Sequence, residues 1–447
     1  MFSIRRKKEG KRKMLNKYFK LEEHGTSIQT EFTGGLTTFL AMAYILFVNP
    51  QILGASGMDP DAIYTATALS AIIGTLLMGL LAKLPVALAP GMGINAFFTY
   101  TVVIGYGIPW ETALTAVLVS GVLFLAISFS GVREKVINGI PASLKLAVGA
   151  GIGLFIAFIG FKNVGIIVAD EGNMIALGNL SNPETALAIF GLVVTVLLIT
   201  LKVSGGVFYG MIITAVVGII FGQIDLPTQF VSGVPSLEPT FGKAFTNIFS
   251  DIWSWQMIGV IITFLFVDFF DTAGTLLAVT DKAGLTTEDG EIPRVGKALL
   301  ADSTSTVVGS VLGTSTVTAF VESATGVGAG ARTGLASVFT AIFFGLALFF
   351  SPLLSVVTSA VTAPALIIVG VMMASALKSI DWDDFVVAVP AFLTVLMMPL
   401  SGSIATGIAV GFVFYPITMV ASGQAKKVNP MMWVLGVVFV LYLAFLS

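Results

Sequence analysis

"TSTVTAFVESATGVGAG", Thr314 to Gly330, is the stretch on which the fold turns. It opens with four hydroxyl residues in five positions, carries one carboxylate, Glu322, and ends in glycines. The run Thr316, Val317, Thr318 favours extended backbone. Yet the chain around it is 56% hydrophobic and only 11% charged, with a mean hydropathy of +0.97. Soluble domains carry about a quarter charged residues, so this chain cannot clothe a water-facing surface. It reads as an all-α polytopic membrane protein. Non-helical backbone at membrane depth is tolerated only where protein buries it or a cavity lines it. A polar, extended stretch carrying an acid therefore marks a broken span beside a cavity.

A span needs about 20 mainly apolar residues. Spans are read near 30–53, 62–82, 85–104, 111–130, 140–162, 184–202 and 207–223, before a polar loop, "DLPTQFVSGVPSLEPT". A second series follows near 256–280, 295–312, 314–330, 332–351, 357–378, 384–400 and 402–421. That gives about fourteen. The last apolar run, "MMWVLGVVFVLYLAFL" (431–446), is short and reads as a fifteenth span, a re-entrant piece or an interfacial helix.

The first twenty residues, "MFSIRRKKEGKRKMLNKYFK", are basic and lack the apolar core of a signal peptide. With this tail in the cytoplasm, the inner loops hold Lys83, Arg133, Lys135, Lys202, Lys282, Arg294, Lys297, Arg332, Lys378, Lys426 and Lys427, and the outer loops only Lys162 and Lys243. The expectation is a multi-pass cell-membrane protein with a cytoplasmic N-terminus. The tail has no folded domain beside it, which speaks against nucleic-acid binding. There is no cysteine and a single histidine, His24, in the tail. Thiol chemistry and a histidine triad are excluded. No metal, no cofactor and no enzymatic activity are expected. The oligomeric state is not legible, and a homodimer stays open.

The two halves resemble each other. "TALTAVLVSGVLFLA" from Thr112 matches "TGLASVFTAIFFGLA" from Thr333, an offset of 333 − 112 = 221. "NAFFT" from Asn95 matches "TAFVE" from Thr318, and "PASLKLAVG" from Pro141 matches "PALIIVG" from Pro364, both offset by 223. Seven spans per repeat is odd, so the second half is inverted, as in secondary transporters whose sites lie at broken helices near the midplane. Span 3 reads "PVALAPGMGINAFF" and is interrupted by Pro90, Gly91 and Gly93. Spans 3 and 10 are each expected to hold a short extended segment plus a half-helix. On the same reading Pro141 and Pro364 start equivalent helices.

Span 8 contains "FLFVDFFDTAGTLLAV", which sets Asp268 and Asp271 on one helix face. Glu322 lies in broken span 10 and Asp302 in span 9. A charge at mid-bilayer costs about 2.5–3.5 kcal/mol on insertion scales, so it faces a cavity or a partner. The competing reading makes these acids caps for backbone N–H groups at the breaks. It fits Asp302 best, followed as it is by Ser303 and Thr304. Asp271 and Glu322 have small neighbours that leave room for a ligand. Glu31, at the edge of span 1, reads as interfacial, and Lys145 as snorkelling to the inner surface. Phe97, Phe98 and Phe320 stand beside the breaks, where an aromatic can stack on a flat ligand.

Carboxylates without a nearby fixed cation repel anions. A neutral planar molecule with N–H donors suits them, because a carboxylate accepts two hydrogen bonds side by side and Asn95 both donates and accepts. A heterocyclic base answers this description. Burial in general disfavours the charged carboxylate, which would let such an acid exchange protons near neutral pH.

"APGMGINAFF" (89–98), "DFFDTAGTL" (268–276), "FVESATGVGAGARTGL" (320–335) and "TEFTGGLTTFLAMAYILFVNP" (30–50) resemble the signature segments of the AzgA-like purine permeases of the nucleobase–ascorbate superfamily. The resemblance runs from about Thr30 to the end of the chain. It implies fourteen spans as a seven-plus-seven inverted repeat. Behind a tail at 1–29, spans 1–4 (30–138) and 8–11 (251–355) would form a core domain. Spans 5–7 with the outer loop (139–250) and 12–14 with the C-terminal run (356–447) would form a gate domain. It implies Asn95, Asp271 and Glu322 as central polar residues, with Asp268 a second important acid of span 8. By likeness to more distant uracil and xanthine carriers it adds Thr275 and the backbone at Ala96, Phe97 and Phe320. The expected function is import of guanine, hypoxanthine or adenine by proton symport, with Asp268, Asp271 and Glu322 in the coupling and elevator-type access. A sodium-coupled nucleobase carrier and an anion transporter of the sulfate/bicarbonate type on the same architecture are the alternatives.

Overall fold

Side chains that accept from the amides of the next turn open seven of the spans. Ser27, Asp59, Asn182, Ser254, Thr333, Asp384 and Ser403 each precede a span helix and take one of its unpaired N–H groups. In this computed structural model, residues 15–130, 140–247, 254–286 and 292–446 are described. The first fourteen residues of the tail, Arg133 and Lys135, and the expected domain boundaries at 138–139 and 250–251 lie outside the described residues.

Among the described residues, nine helices are long and apolar enough to cross a membrane, with shorter apolar helices at Met92–Gly105, Gly206–Ile220, Phe385–Ser401 and Pro430–Ala444. Together with Val295–Leu312 and the broken segment before Gly334, and leaving Pro430–Ala444 aside, they give two series of seven in the order read from the sequence. Spans 1, 2, 4, 9 and 11 pack on one another (Ile28–Gly54, Pro60–Ala82, Trp110–Ser130, Val295–Leu312, Gly334–Val356). Spans 5, 6, 7, 12, 13 and 14 form a second packed group (Ala142–Asn163, Pro183–Thr200, Gly206–Ile220, Ser359–Ala374, Phe385–Ser401, Ile404–Ala421). Span 8, Trp255–Lys282, belongs with the first group through span 4 and touches the second. Within the second group, spans 5 and 12 meet at glycines: a Cβ on Gly370 would stand 2.4 Å from the Gly153 carbonyl oxygen.

Four short strands complete the fold. β2 (Ile167–Asp170) and β3 (Met174–Leu177) form a hairpin between spans 5 and 6. β1 (Leu88–Pro90) and β4 (Val317–Ala319) lie in spans 3 and 10 and pair antiparallel, Leu88 opposite Ala319 and Pro90 opposite Val317. Both are fully buried. Each leads into a half-helix, Met92–Ala96 and Ser323–Gly328. The first continues as a π-helical stretch, Phe97–Gly105, a geometry that recurs at functional sites. The broken spans expected from the sequence are therefore present.

An isolated strand pair inside a membrane must satisfy its outer edges. Threonine hydroxyls do this. Thr75 Oγ1 accepts from Leu88 N–H at 2.9 Å and donates to its carbonyl at 3.0 Å. Thr306 Oγ1 accepts from Val317 N–H at 3.2 Å and lies 3.0 Å from its carbonyl oxygen. Thr272 Oγ1 accepts from Ala319 N–H at 3.2 Å.

Three expectations change. The two strands stand 317 − 88 = 229 residues apart, not 223, so "NAFFT" and "TAFVE" do not hold equivalent places at the breaks: Asn95 sits inside its half-helix and Glu322 just before its own. Apolar helices align by chance, and strand register does not. Pro364 lies inside the Ser359–Ala374 helix rather than at its start, whereas Pro141 does begin span 5. Glu31 is not interfacial. It is fully buried and accepts the N–H groups of Arg332 (2.9 Å), Thr333 (3.3 Å) and Ala336 (3.0 Å), where span 11 begins. Glu31→Ala should cost about 2–4 kcal/mol, since it strands three amides at a helix N-terminus. Thermal unfolding in detergent measures this, and an unchanged midpoint would refute the capping role.

The last apolar run is a helix, Pro430–Leu446, antiparallel to span 14. Gly436 lies opposite Phe412 and Pro416, and the Phe439 ring packs on Phe412 at 5.4 Å. Tyr442 reaches Tyr106, which in turn contacts Ser403, the N-cap of span 14. Its 17 residues cover about 25 Å at 1.5 Å per residue, so it lies along most of span 14.

Candidate substrate site at the strand pair

The strand pair and the middle of span 8 enclose two adjoining cavities. The smaller, about 60 Å³, is lined by Tyr44, Gly91–Gly93, Asp271, Thr275, the Thr318–Glu322 segment, Val369 and Met373. The larger, about 230 Å³, shares Asp271, Thr275, Val321 and Met373 and extends past Gly274 to Lys145 and Ser375. Lys145 thus stands at a cavity wall. Span 1 begins on the face that bears the tail, so span 5 begins and span 12 ends there too. The larger cavity extends toward that face, to Lys145 and Ser375.

Of the residues expected at the site, Asp271, Thr275, Phe320 and Glu322 line the smaller cavity. Asn95, Ala96 and Phe97 are not among the residues lining either one. Asn95 accepts a hydrogen bond from Ser315, and its Nδ2 is buried with no partner. Phe97 packs edge-on against Phe264 with ring centres 5.0 Å apart. Asp268 is buried behind the strands, its Oδ2 accepting from Thr306 at 3.2 Å. Asp302, also buried, accepts from the Thr272 hydroxyl at 2.7 Å.

Tyr44 was not singled out by the sequence. Tyr44 lies between the two helical segments of span 1, Ile28–Met42 and Ile45–Gly54, with its side chain buried. Its hydroxyl donates to Glu322 Oε1 at 2.6 Å, with both side chains buried. A phenol inside an apolar span needs a partner for its O–H, and that was the available signal. One carboxylate oxygen of Glu322 is thereby engaged. Thr318 likewise donates to Asp271 Oδ2 at 3.3 Å.

Two acids converge on one cavity between paired half-helices, in a fold of fourteen spans plus one. That arrangement is the one a membrane transporter uses. The chain matches the Permease family (Xan_ur_permease) over residues 29–410 and belongs to it. It is 58% identical over 442 residues to the guanine/hypoxanthine permease PbuG of Bacillus subtilis, covering 97% of this chain and 100% of that protein. It is 43% identical over 428 residues to the adenine permease AdeQ of Escherichia coli, covering 96% and 95%. It is 34% identical over 392 residues to the nucleobase transporter PlAzg2 of Paenibacillus larvae, covering 87% and 76%. The AzgA-like resemblance holds, and the protein is a multi-pass membrane permease, not an enzyme. Among solved structures, the transmembrane domain of the cyanobacterial bicarbonate transporter BicA superposes with a TM-score of 0.62 at 17% identity, over 88% of this chain and 97% of that one. SLC26A9 gives 0.63 at 12%, over 93% and 70%. These two likenesses concern the fold alone.

Proposed function

We propose that the chain imports purine nucleobases by proton symport, with spans 1–4 and 8–11 moving as a core against a gate of spans 5–7 and 12–14. The observation that carries this is the lining of the smaller cavity, which holds two carboxyls and no lysine or arginine. An anion would meet repulsion there. A neutral flat base with N–H donors meets acceptors. Glu322, with one oxygen held by Tyr44, offers the other to the base. Asp271 exchanges the proton. Phe320 and the glycines of span 3 leave a flat gap beside them. With the tail in the cytoplasm, the larger cavity lies on the inward side of the smaller one, and this conformation is the releasing one. The names of the relatives, guanine/hypoxanthine and adenine permeases, agree with this substrate class.

The test is uptake of labelled guanine, hypoxanthine and adenine into proteoliposomes under an imposed pH gradient, with and without a protonophore, and with sodium replaced by choline. Uptake that ignores the protonophore but needs sodium would replace the proton reading with a sodium one. Tyr44→Phe should raise KM about five- to tenfold with a smaller change in kcat, the loss of one charge-assisted hydrogen bond that positions Glu322. An unchanged KM would show that Glu322 does not need its phenol.

A further inference from the structure

Three hydrogen bonds join Asp271, at the cavity, to Asp302, buried in span 9. Thr318 Oγ1 lies 3.3 Å from Asp271 Oδ2, Thr272 Oγ1 lies 2.8 Å from Thr318 Oγ1, and Thr272 Oγ1 lies 2.7 Å from Asp302 Oδ1. Each link needs one proton. The two hydroxyls supply one each, so the third comes from a carboxylic acid. The chain of bonds is complete when one of its two acids is protonated, and it then has two polarities. In one, Asp271 donates to Thr318, Thr318 to Thr272, and Thr272 to ionised Asp302. In the other, Asp302 donates to Thr272, Thr272 to Thr318, and Thr318 to ionised Asp271. With both acids ionised one link lacks a proton. With both protonated, two protons compete for one link.

The surroundings hold this chain in place. Thr272 and Asp302 are fully buried and Thr318 nearly so. The Ala319 N–H bond to Thr272 ties it to β4. Other charged groups face it. Asp268 is acted on by both Asp302 and Asp271. Glu322 acts on Asp271 and itself holds Tyr44. Four carboxyls thus crowd one small volume, where like charges do not all ionise together.

We infer that Asp302 is the second seat of the coupling proton and that Thr318 and Thr272 pass it to and from Asp271. The step balances. The Asp271 O–H bond breaks and its proton joins Thr318 Oγ1. The proton that Thr318 held moves to Thr272, that of Thr272 moves to Asp302, and an O–H bond forms at Asp302 Oδ1. One negative charge passes from Asp302 to Asp271. Ionised Asp271 then accepts an N–H of the base while the proton is carried in a site away from the cavity. After the base leaves, the reverse transfer returns the proton to Asp271, which opens on the cavity, and from there to water. This inference rests on the proton-symport reading.

The experiment reconstitutes the full chain in proteoliposomes with an internal pH dye and labelled guanine. It measures proton-driven accumulation and guanine-for-guanine exchange for each protein. If the wild type takes up guanine with no proton influx, the symport reading fails, and the relay falls with it. If the wild type couples, the ratio of accumulation to exchange should drop about tenfold in Thr272→Val and return in Thr272→Ser, because serine restores both the transferable proton and the acceptor for Ala319 N–H. A drop below about threefold in the valine variant overturns the relay alone. So does a loss of exchange in step with accumulation, which is the mark of a merely structural role, or a failure of serine to restore the ratio.

Discussion

Glu322→Gln is expected to lower guanine uptake by about a hundredfold, with the protein still reaching the membrane. The substitution keeps size and shape and removes the charge. Tyr44 can still donate to the side-chain oxygen, so the lock between spans 1 and 10 survives. What changes is the free end of the side chain, where an acceptor becomes an N–H₂ donor. A base N–H would then face another donor in a site shielded from water. Losing a charge-assisted bond and opposing two donors costs about 3 kcal/mol, or roughly two powers of ten in affinity. Initial uptake rates, normalised to membrane-inserted protein by immunoblot, measure it. A Gln variant that keeps a third of the wild-type rate would remove Glu322 from the site.

Thr306→Val should unfold the centre of the molecule. The change is nearly isosteric, yet it strips the edge of β4. Val317 loses the partner of its N–H and a contact to its carbonyl, and Asp268 Oδ2 loses its donor. At membrane depth no water replaces them. The single hydroxyl proton serves one acceptor at a time, so two buried polar groups are left unpaired, at about 2–6 kcal/mol. Valine should therefore give little monodisperse protein and a much lower unfolding midpoint, while Thr306→Ser stays near wild type. A valine variant as stable as wild type would mean that the strand edge is satisfied in some other way.

The spans and the two breaks were legible because they rest on local composition: length of apolar run, Pro90 and Gly91 in span 3, Thr316–Thr318 in span 10. Asp271 and Glu322 were legible because acids inside an apolar span have few other uses; Phe320 was legible only for its place beside a break, and Thr275 only through the family likeness. Long-range partners were not. Glu31 looks interfacial until span 11, some three hundred residues on, is laid beside it. Tyr44 is an aromatic among aromatics until Glu322 faces it. Asn95 has the right chemistry for a base, but its helical phase turns it toward Ser315. Phase within a five-residue half-helix cannot be read from a periodicity that needs several turns to show itself. Asp302 had the plain alternative of a cap, and only its threonine neighbours in three dimensions give it a further use.

The helix Pro430–Leu446 has a practical consequence. Packed along span 14, it is expected to add one crossing to an even number and so to set Leu446 on the face opposite the start of span 1. With the tail in the cytoplasm, a fluorescent protein that matures only in the cytoplasm should stay dark when joined after Ser447, and glow when the fusion follows Ser422 instead. Alkaline phosphatase at the same two junctions should report the reverse. Affinity tags for purification then belong at the N-terminus whenever a cytoplasmic handle is wanted.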